Sequence, residues 1–105
     1  MKILALEHET PDSANRDFQP HLKAEALRVW ELHQAGLVRE MYFRADQHTA
    51  VLTLECETVE EAGQALDTLP LVRAGLITFE LIPLIAYPGF ARLFATLTDC
   101  YGADA

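Results

Sequence analysis

The fifteen residues LPLVRAGLITFELIP, Leu69 to Pro83, decide the fold. The Leu69-Pro70 pair ends any helix before it, because the proline ring disfavours helical geometry at the preceding residue. Ala74-Gly75 then turns the backbone. Leu76–Ile82 follows, with five aliphatic or aromatic residues out of seven, and Pro83 is expected to stop it. This is a buried strand delivered by a helix and a tight hook. Its two faces are Ile77, Phe79, Leu81 and Thr78, Glu80, Ile82.

Upstream of the hook, Thr58-Val59-Glu60-Glu61 is a capping box that starts a short helix running to about Thr68. Gly63 inside that helix costs about 1 kcal/mol relative to alanine and marks a close helix-on-sheet contact. Two strands precede it, Leu37–Arg44 and Thr49–Cys56, joined by a hairpin over Ala45–His48. Strict alternation sends Arg39, Met41 and Phe43 to one face and Val38, Glu40, Tyr42 and Arg44 to the other. A helix is predicted from about Phe18 to Ala35, with Pro20 in its first turn and Gly36 at its end. Leu22, Ala26, Val29, Trp30 and His33 share its apolar stripe, and His21 and Glu25 sit together beside it. The first strand, Lys2–His8, is apolar on both faces through Ile3, Leu4, Ala5 and Leu6, as a central strand is.

The order is β-α-β-β-α-β, an α+β ferredoxin-like domain with a four-stranded antiparallel sheet and both helices on one face. One domain over residues 1–105 is expected, with a core over 1–83 and an extension over 84–105. In the extension, Phe90, Leu93, Phe94 and Leu97 make an apolar stripe expected to form a small helix.

The net charge of −8, from 16 acids against 8 lysines and arginines, argues against nucleic acid and anionic membranes as partners. The opening MKILALEHE is too short in apolar residues for a secretory signal, so a cytoplasmic protein is expected. Cys56 and Cys100 lie far apart with no CxxC and read as reduced thiols. His8 between Glu7 and Glu9 matches no defined metal spacing, and no GxGxxG, P-loop or nucleophile elbow is present. No cofactor is expected.

The sheet face away from the helices is predicted to carry Glu40, Tyr42, Arg44, Val51, Thr53, Glu55, Thr78, Glu80 and Ile82. To these the first strand adds either Ile3, Ala5 and Glu7 or Leu4, Leu6 and His8. Aliphatic and ionisable groups mixed in this way fit two sheets facing each other around a partly polar cavity, in a homodimer. A carboxylate enclosed there serves as a proton carrier. The plainer reading is cross-strand pairing of surface charges.

These residues resemble the dimeric α+β barrel proteins in two branches. Pro70-Leu71-Val72-Arg73-Ala74-Gly75-Leu76 and Pro20-His21-Leu22 are similar to YCII-related proteins. Tyr42-Phe43-Arg44, His48, Thr68-Leu69-Pro70-Leu71, Phe79-Glu80-Leu81-Ile82-Pro83 and Leu22-Lys23-Ala24-Glu25 resemble muconolactone isomerase and its relatives. The resemblance spans Met1 to about Pro88. Two positions depart from it: Leu69 stands where the YCII-related proteins carry an aspartate, and Val72 where the isomerases carry an aromatic residue.

The resemblance implies cofactor-free proton transfer on a small lactone or organic acid. His21, Glu40 or Glu80 is then the expected proton carrier. Tyr42 and Arg44 are expected to anchor a substrate carboxylate, since a guanidinium offers paired donors, with Glu25 and His48 completing the binding set. The alternative is a non-catalytic, small-ligand-binding or accessory dimer of YCII type.

Overall fold

The computed structural model describes residues 1–11 and 17–94. Strands β1 (Lys2–Glu9), β2 (Val38–Phe43), β3 (Ala50–Glu55) and β4 (Ile77–Leu84) alternate with helices α1 (Gln19–Gln34), α2 (Val59–Leu66) and α3 (Pro70–Arg73). The strands form one antiparallel sheet in the order β2-β3-β1-β4. This is the ferredoxin-like α+β architecture, with the apolar β1 at its centre. Among the described residues, no helix is long and apolar enough to cross a membrane.

The register fixes the two faces. Ile3, Ala5 and Glu7 stand opposite Pro83, Leu81 and Phe79, while Ala5 also faces Leu52. Ile3, Ala5, Leu52, Leu54 and Cys56 are buried under the helices with Leu32, Ala62, Leu66 and Leu69. The open face therefore carries Leu4, Leu6 and His8 from β1, paired with Ile82, Glu80 and Thr78. Of the two settings left open for the first strand, the structure takes that one.

Both helical segments end in the same hook. Leu37 N–H bonds to Leu32 O and Gly36 N–H to His33 O; Leu76 N–H bonds to Leu71 O and Gly75 N–H to Val72 O, all at 3.0 Å. These are Schellman closures. Each requires a left-handed residue, supplied by Gly36 (φ 83°) and Gly75 (φ 76°). The second hook carries its own helical turn, α3, with Pro70 at the first position, where a missing N–H is harmless.

Three local expectations change. Val38 faces the core and is fully buried, because a register shift between Val38 and Glu40 breaks the alternation of β2. Beyond that bulge, Met41 and Phe43 face the helices and Glu40 and Tyr42 the open side, as alternation requires. Pro83 lies within β4, since an edge strand tolerates a residue without an N–H. The apolar stripe in the extension begins as a 3₁₀ turn over Gly89–Leu93. Its last member, Leu97, and Cys100 lie outside the described residues. Cys56 is a buried free thiol, and burial pushes its pKa up.

Thr58 caps α2 as the capping box predicts, its hydroxyl accepting from Glu61 N–H at 3.1 Å. A methyl group added at Gly63 meets Leu81 Cδ1 at 3.6 Å, an ordinary contact, so α2 lies close on β4. His33 packs as a structural histidine, its Nδ1 donating to Val38 O at 2.9 Å.

Candidate functional site

The first helix does not lie flat on the sheet. Of its residues only Leu32, near the C-terminal end, is buried. Leu22 and Trp30, both on the apolar stripe, stay 43% and 55% exposed. The space beneath them is a cavity of about 440 Å³. Its roof is Leu22, Ala26, Val29 and Trp30; its floor is Met41, Phe43, Leu52 and Phe79; Leu69 and Leu71 close one end. Two carboxylates, Glu7 from β1 and Glu25 from α1, complete the lining.

Each carboxylate is placed by a backbone N–H. Glu7 continues the inward row of β1 and accepts from Ala50 N–H at 3.1 Å, at the start of β3. Glu25 accepts from Leu71 N–H at 2.9 Å and so ties α1 to the first turn of the hook. Among the described residues, no hydrogen bond occupies the second oxygen of either group. Burial in apolar surroundings pushes both pKa values above the ordinary carboxylate range. The bond from Ala50 partly offsets this for Glu7, and the bond from Leu71 for Glu25. The negative charge of Glu7 raises Glu25 further, while nearby His21 opposes that rise. An apolar cleft with a few convergent polar groups is the usual form of a small-molecule site, and two perturbed carboxyls give it acid–base capacity.

The residues singled out from sequence divide between this cavity and other places. Glu25 is in the lining, and Tyr42 stands at its rim. His21 is half-buried beside Glu25. Glu40 and Glu80 stand on the open face of the sheet, outside the cavity. Glu40 accepts from the Tyr42 hydroxyl at 3.0 Å and the Thr53 hydroxyl at 3.2 Å. His8 Nε2 donates to Glu80 Oε1 at 3.0 Å. The bond to Glu40 also pushes the Tyr42 pKa up. Arg44 grips Asp46 with two parallel bonds, of 2.9 and 2.6 Å, and holds that carboxyl below its usual range. His48 is exposed and stacks on Phe43 with ring centroids 4.1 Å apart. Arg44 and His48 line a second groove of about 330 Å³, which meets the cavity at Glu7 and Ala50.

Leu69, in the position where YCII-related proteins carry an aspartate, is fully buried in the core. A carboxylate does reach the hook here, but it comes from α1 as Glu25. Glu7 was absent from the sequence-derived site. Its signal was an acid continuing the row Ile3, Ala5, and only the register identifies that row as the covered one. Among the described residues, no cluster of histidine, cysteine or acidic side chains is arranged to hold a metal ion.

No family model matches the sequence, and no curated protein matches it. Solved structures do. A crystal structure of muconolactone isomerase is similar over 84% of this chain and 92% of its own, with a TM-score of 0.66 and 20% identity. The 5-chloro-2-hydroxyhydroquinone dehydrochlorinase of Burkholderia phenoliruptrix AC1100, in complex with 2,5-dihydroxybenzoquinone, is similar over 83% of this chain and 96% of its own. Its TM-score is 0.58 and its identity 16%. At such identities the likeness is one of fold alone: the chain shares the ferredoxin-like α+β fold of these two structures.

Proposed function

We propose that the chain is a cofactor-free enzyme that moves a proton on a small carbonyl compound, of lactone type, bound beneath α1. The observation that carries this reading is the pair of desolvated carboxylates lining one apolar cavity. A raised pKa brings a carboxyl closer to the working pH, where general acid–base catalysis is most efficient. With one group ionised and the other protonated, the ionised one takes a proton from the carbon beside the carbonyl. The protonated one delivers its proton further along the conjugated system. The double bond shifts, the substrate's composition is unchanged, and the two carboxyls have exchanged roles. On this reading His21, next to Glu25, assists its proton traffic.

The test is exchange of deuterium from heavy water into a bound lactone or enone. Glu25→Gln keeps an oxygen for Leu71 N–H but loses the transferable proton. Exchange is expected to fall by about 10² to 10⁴, the usual range for such a group. Unchanged exchange in both Glu25→Gln and Glu7→Gln rejects the assignment. A second reading rests on the backbone bonds that Glu7 and Glu25 already make, which give them structural work. On that reading the chain is a binding or accessory module that takes a ligand without exchanging its protons.

Self-association belongs to the same proposal. Leu4, Leu6, Val51 and Ile82 are only half-buried on the open face, among His8, Glu40, Tyr42, Thr53 and Glu80. The extension leaves Phe90, Leu93 and Phe94 67%, 73% and 88% exposed. Burying each such side chain contributes about 1.5–3 kcal/mol, which supports a homodimer packed through its sheets with the extension reaching across. Sedimentation is expected to give a dimer at micromolar concentration. Deleting residues 90–105 is expected to weaken it, and an unaltered dimer after truncation rejects the role of the extension.

A further inference from the structure

The charge lining the cavity says what kind of molecule enters it. The lining holds two carboxylates and no lysine, arginine or histidine. His21 and His48 stand near the two carboxylates but outside the lining, and the two nearby arginines are engaged elsewhere. Arg44, in the neighbouring groove, is held in a fork by Asp46. Arg28 donates to the Thr68 hydroxyl at 2.8 Å and to Glu31 at 3.2 Å. The protein as a whole carries a charge of −8, which lowers the local concentration of anions. A carboxylate entering this space meets the negative charge that the Glu7–Glu25 pair keeps, in apolar surroundings, and no donor fork lines the cavity to offset its desolvation.

The cavity does offer acceptors and flat apolar surface. Trp30, Phe43 and Phe79 present aromatic walls, and the second oxygens of Glu7 and Glu25 are open to a hydrogen-bond donor. We infer that the cavity selects an uncharged, flat molecule with hydroxyl donors, a hydroxylated aromatic ring or its enol equivalent, and rejects carboxylates of the same size. The selection rests on the cavity being the working site. It narrows the carbonyl substrate to one that enters neutral and can present an O–H to a carboxylate. That differs from the carboxylate-bearing lactone expected from the resemblance, whose anchor was Arg44.

A matched pair of probes tests this on the full-length protein at neutral pH: hydroquinone and benzoate, each titrated by calorimetry and by melting temperature. Hydroquinone is expected to bind saturably. Benzoate is expected to bind at least about tenfold more weakly, the effect of like charges a few ångströms apart in a partly shielded site. In the Glu7→Gln/Glu25→Gln double variant, benzoate is expected to gain affinity and the preference to shrink. Wild-type protein that binds benzoate as tightly as hydroquinone, or neither probe at all, overturns the inference without recourse to the variant. Hydroquinone preference without deuterium exchange into any enol or enone leaves the selectivity standing and removes the catalytic reading instead.

Discussion

The two halves of this fold use the same hook and pack differently. Ala35-Gly36-Leu37 and Ala74-Gly75-Leu76 close their helices with the same pair of 3.0 Å bonds and the same left-handed glycine. Yet α2 lies on the sheet through Ala62, Gly63 and Leu66, while α1 buries only Leu32 and has a cavity beneath its Leu22–Trp30 stretch. Small residues let α2 approach; under α1, Leu22, Glu25 and Trp30 line a cavity instead. The lesson is that a shared turn into the following strand leaves open whether the helical layer before it seals a core or roofs a cavity.

The sharpest probe of the difference is truncation on each side. Leu66→Ala, at a site 2% exposed, is expected to cost about 2–5 kcal/mol of stability in denaturant unfolding. Trp30→Ala, on the roof, is expected to cost about 1 kcal/mol or less while weakening ligand binding. Comparable losses at the two positions mean that α1 is sealed after all. The hooks test the shared part. Gly36→Ala and Gly75→Ala each put a side chain in the left-handed region and are expected to cost about 1–2 kcal/mol, similar in both halves. At Gly36 the added methyl meets Arg39 at an unstrained 3.8 Å, so the backbone alone decides.

The carboxylates give a pH signature confined to the α1 half. Their folded pKa values lie above the ordinary 4.5, so the folded chain holds protons that the unfolded chain has released. Their contribution is most favourable below that ordinary value and is lost as pH rises through the raised values. The double variant Glu7→Gln/Glu25→Gln is expected to flatten the melting-temperature profile upward from about pH 4.5. A wild-type profile that rises through this window contradicts the burial of these groups. The smallest effect is on the other side: Gly63→Ala, with room for the methyl group, is expected to gain about 0.4–1 kcal/mol. A loss there shows that α2 sits closer to β4 than 3.6 Å implies.

The element order and most strand faces were legible because apolar alternation, the capping box and the Ala-Gly hooks are local signals. Val38 was not, since a bulge shifts the backbone register without leaving a mark in alternation. Alternation points to a cavity on the uncovered face, whereas the apolar cavity lies beneath α1. The stripe Leu22, Ala26, Val29, Trp30 has the pattern of a packed helix, and periodicity does not measure the distance to the sheet beneath. Glu25 stood out through its spacing from His21 and is in the lining, yet its bond to Leu71, 46 residues away, is a tertiary fact. Glu7 needed the register between β1 and its neighbours before it faced anything.

The bulge at Arg39 and the proline at position 83 also bear on what happens when many copies meet. Both outer strands of the sheet are marked: β2 is irregular beside Arg39 and Glu40, and β4 contains a residue with no N–H to give. Amyloid grows by strands joining an open rim through unbroken backbone ladders, and irregular, charged or proline-bearing rims resist it. A chain with so much exposed apolar surface in its extension is thereby steered away from rim-to-rim polymerisation, even when it is crowded or freshly synthesised.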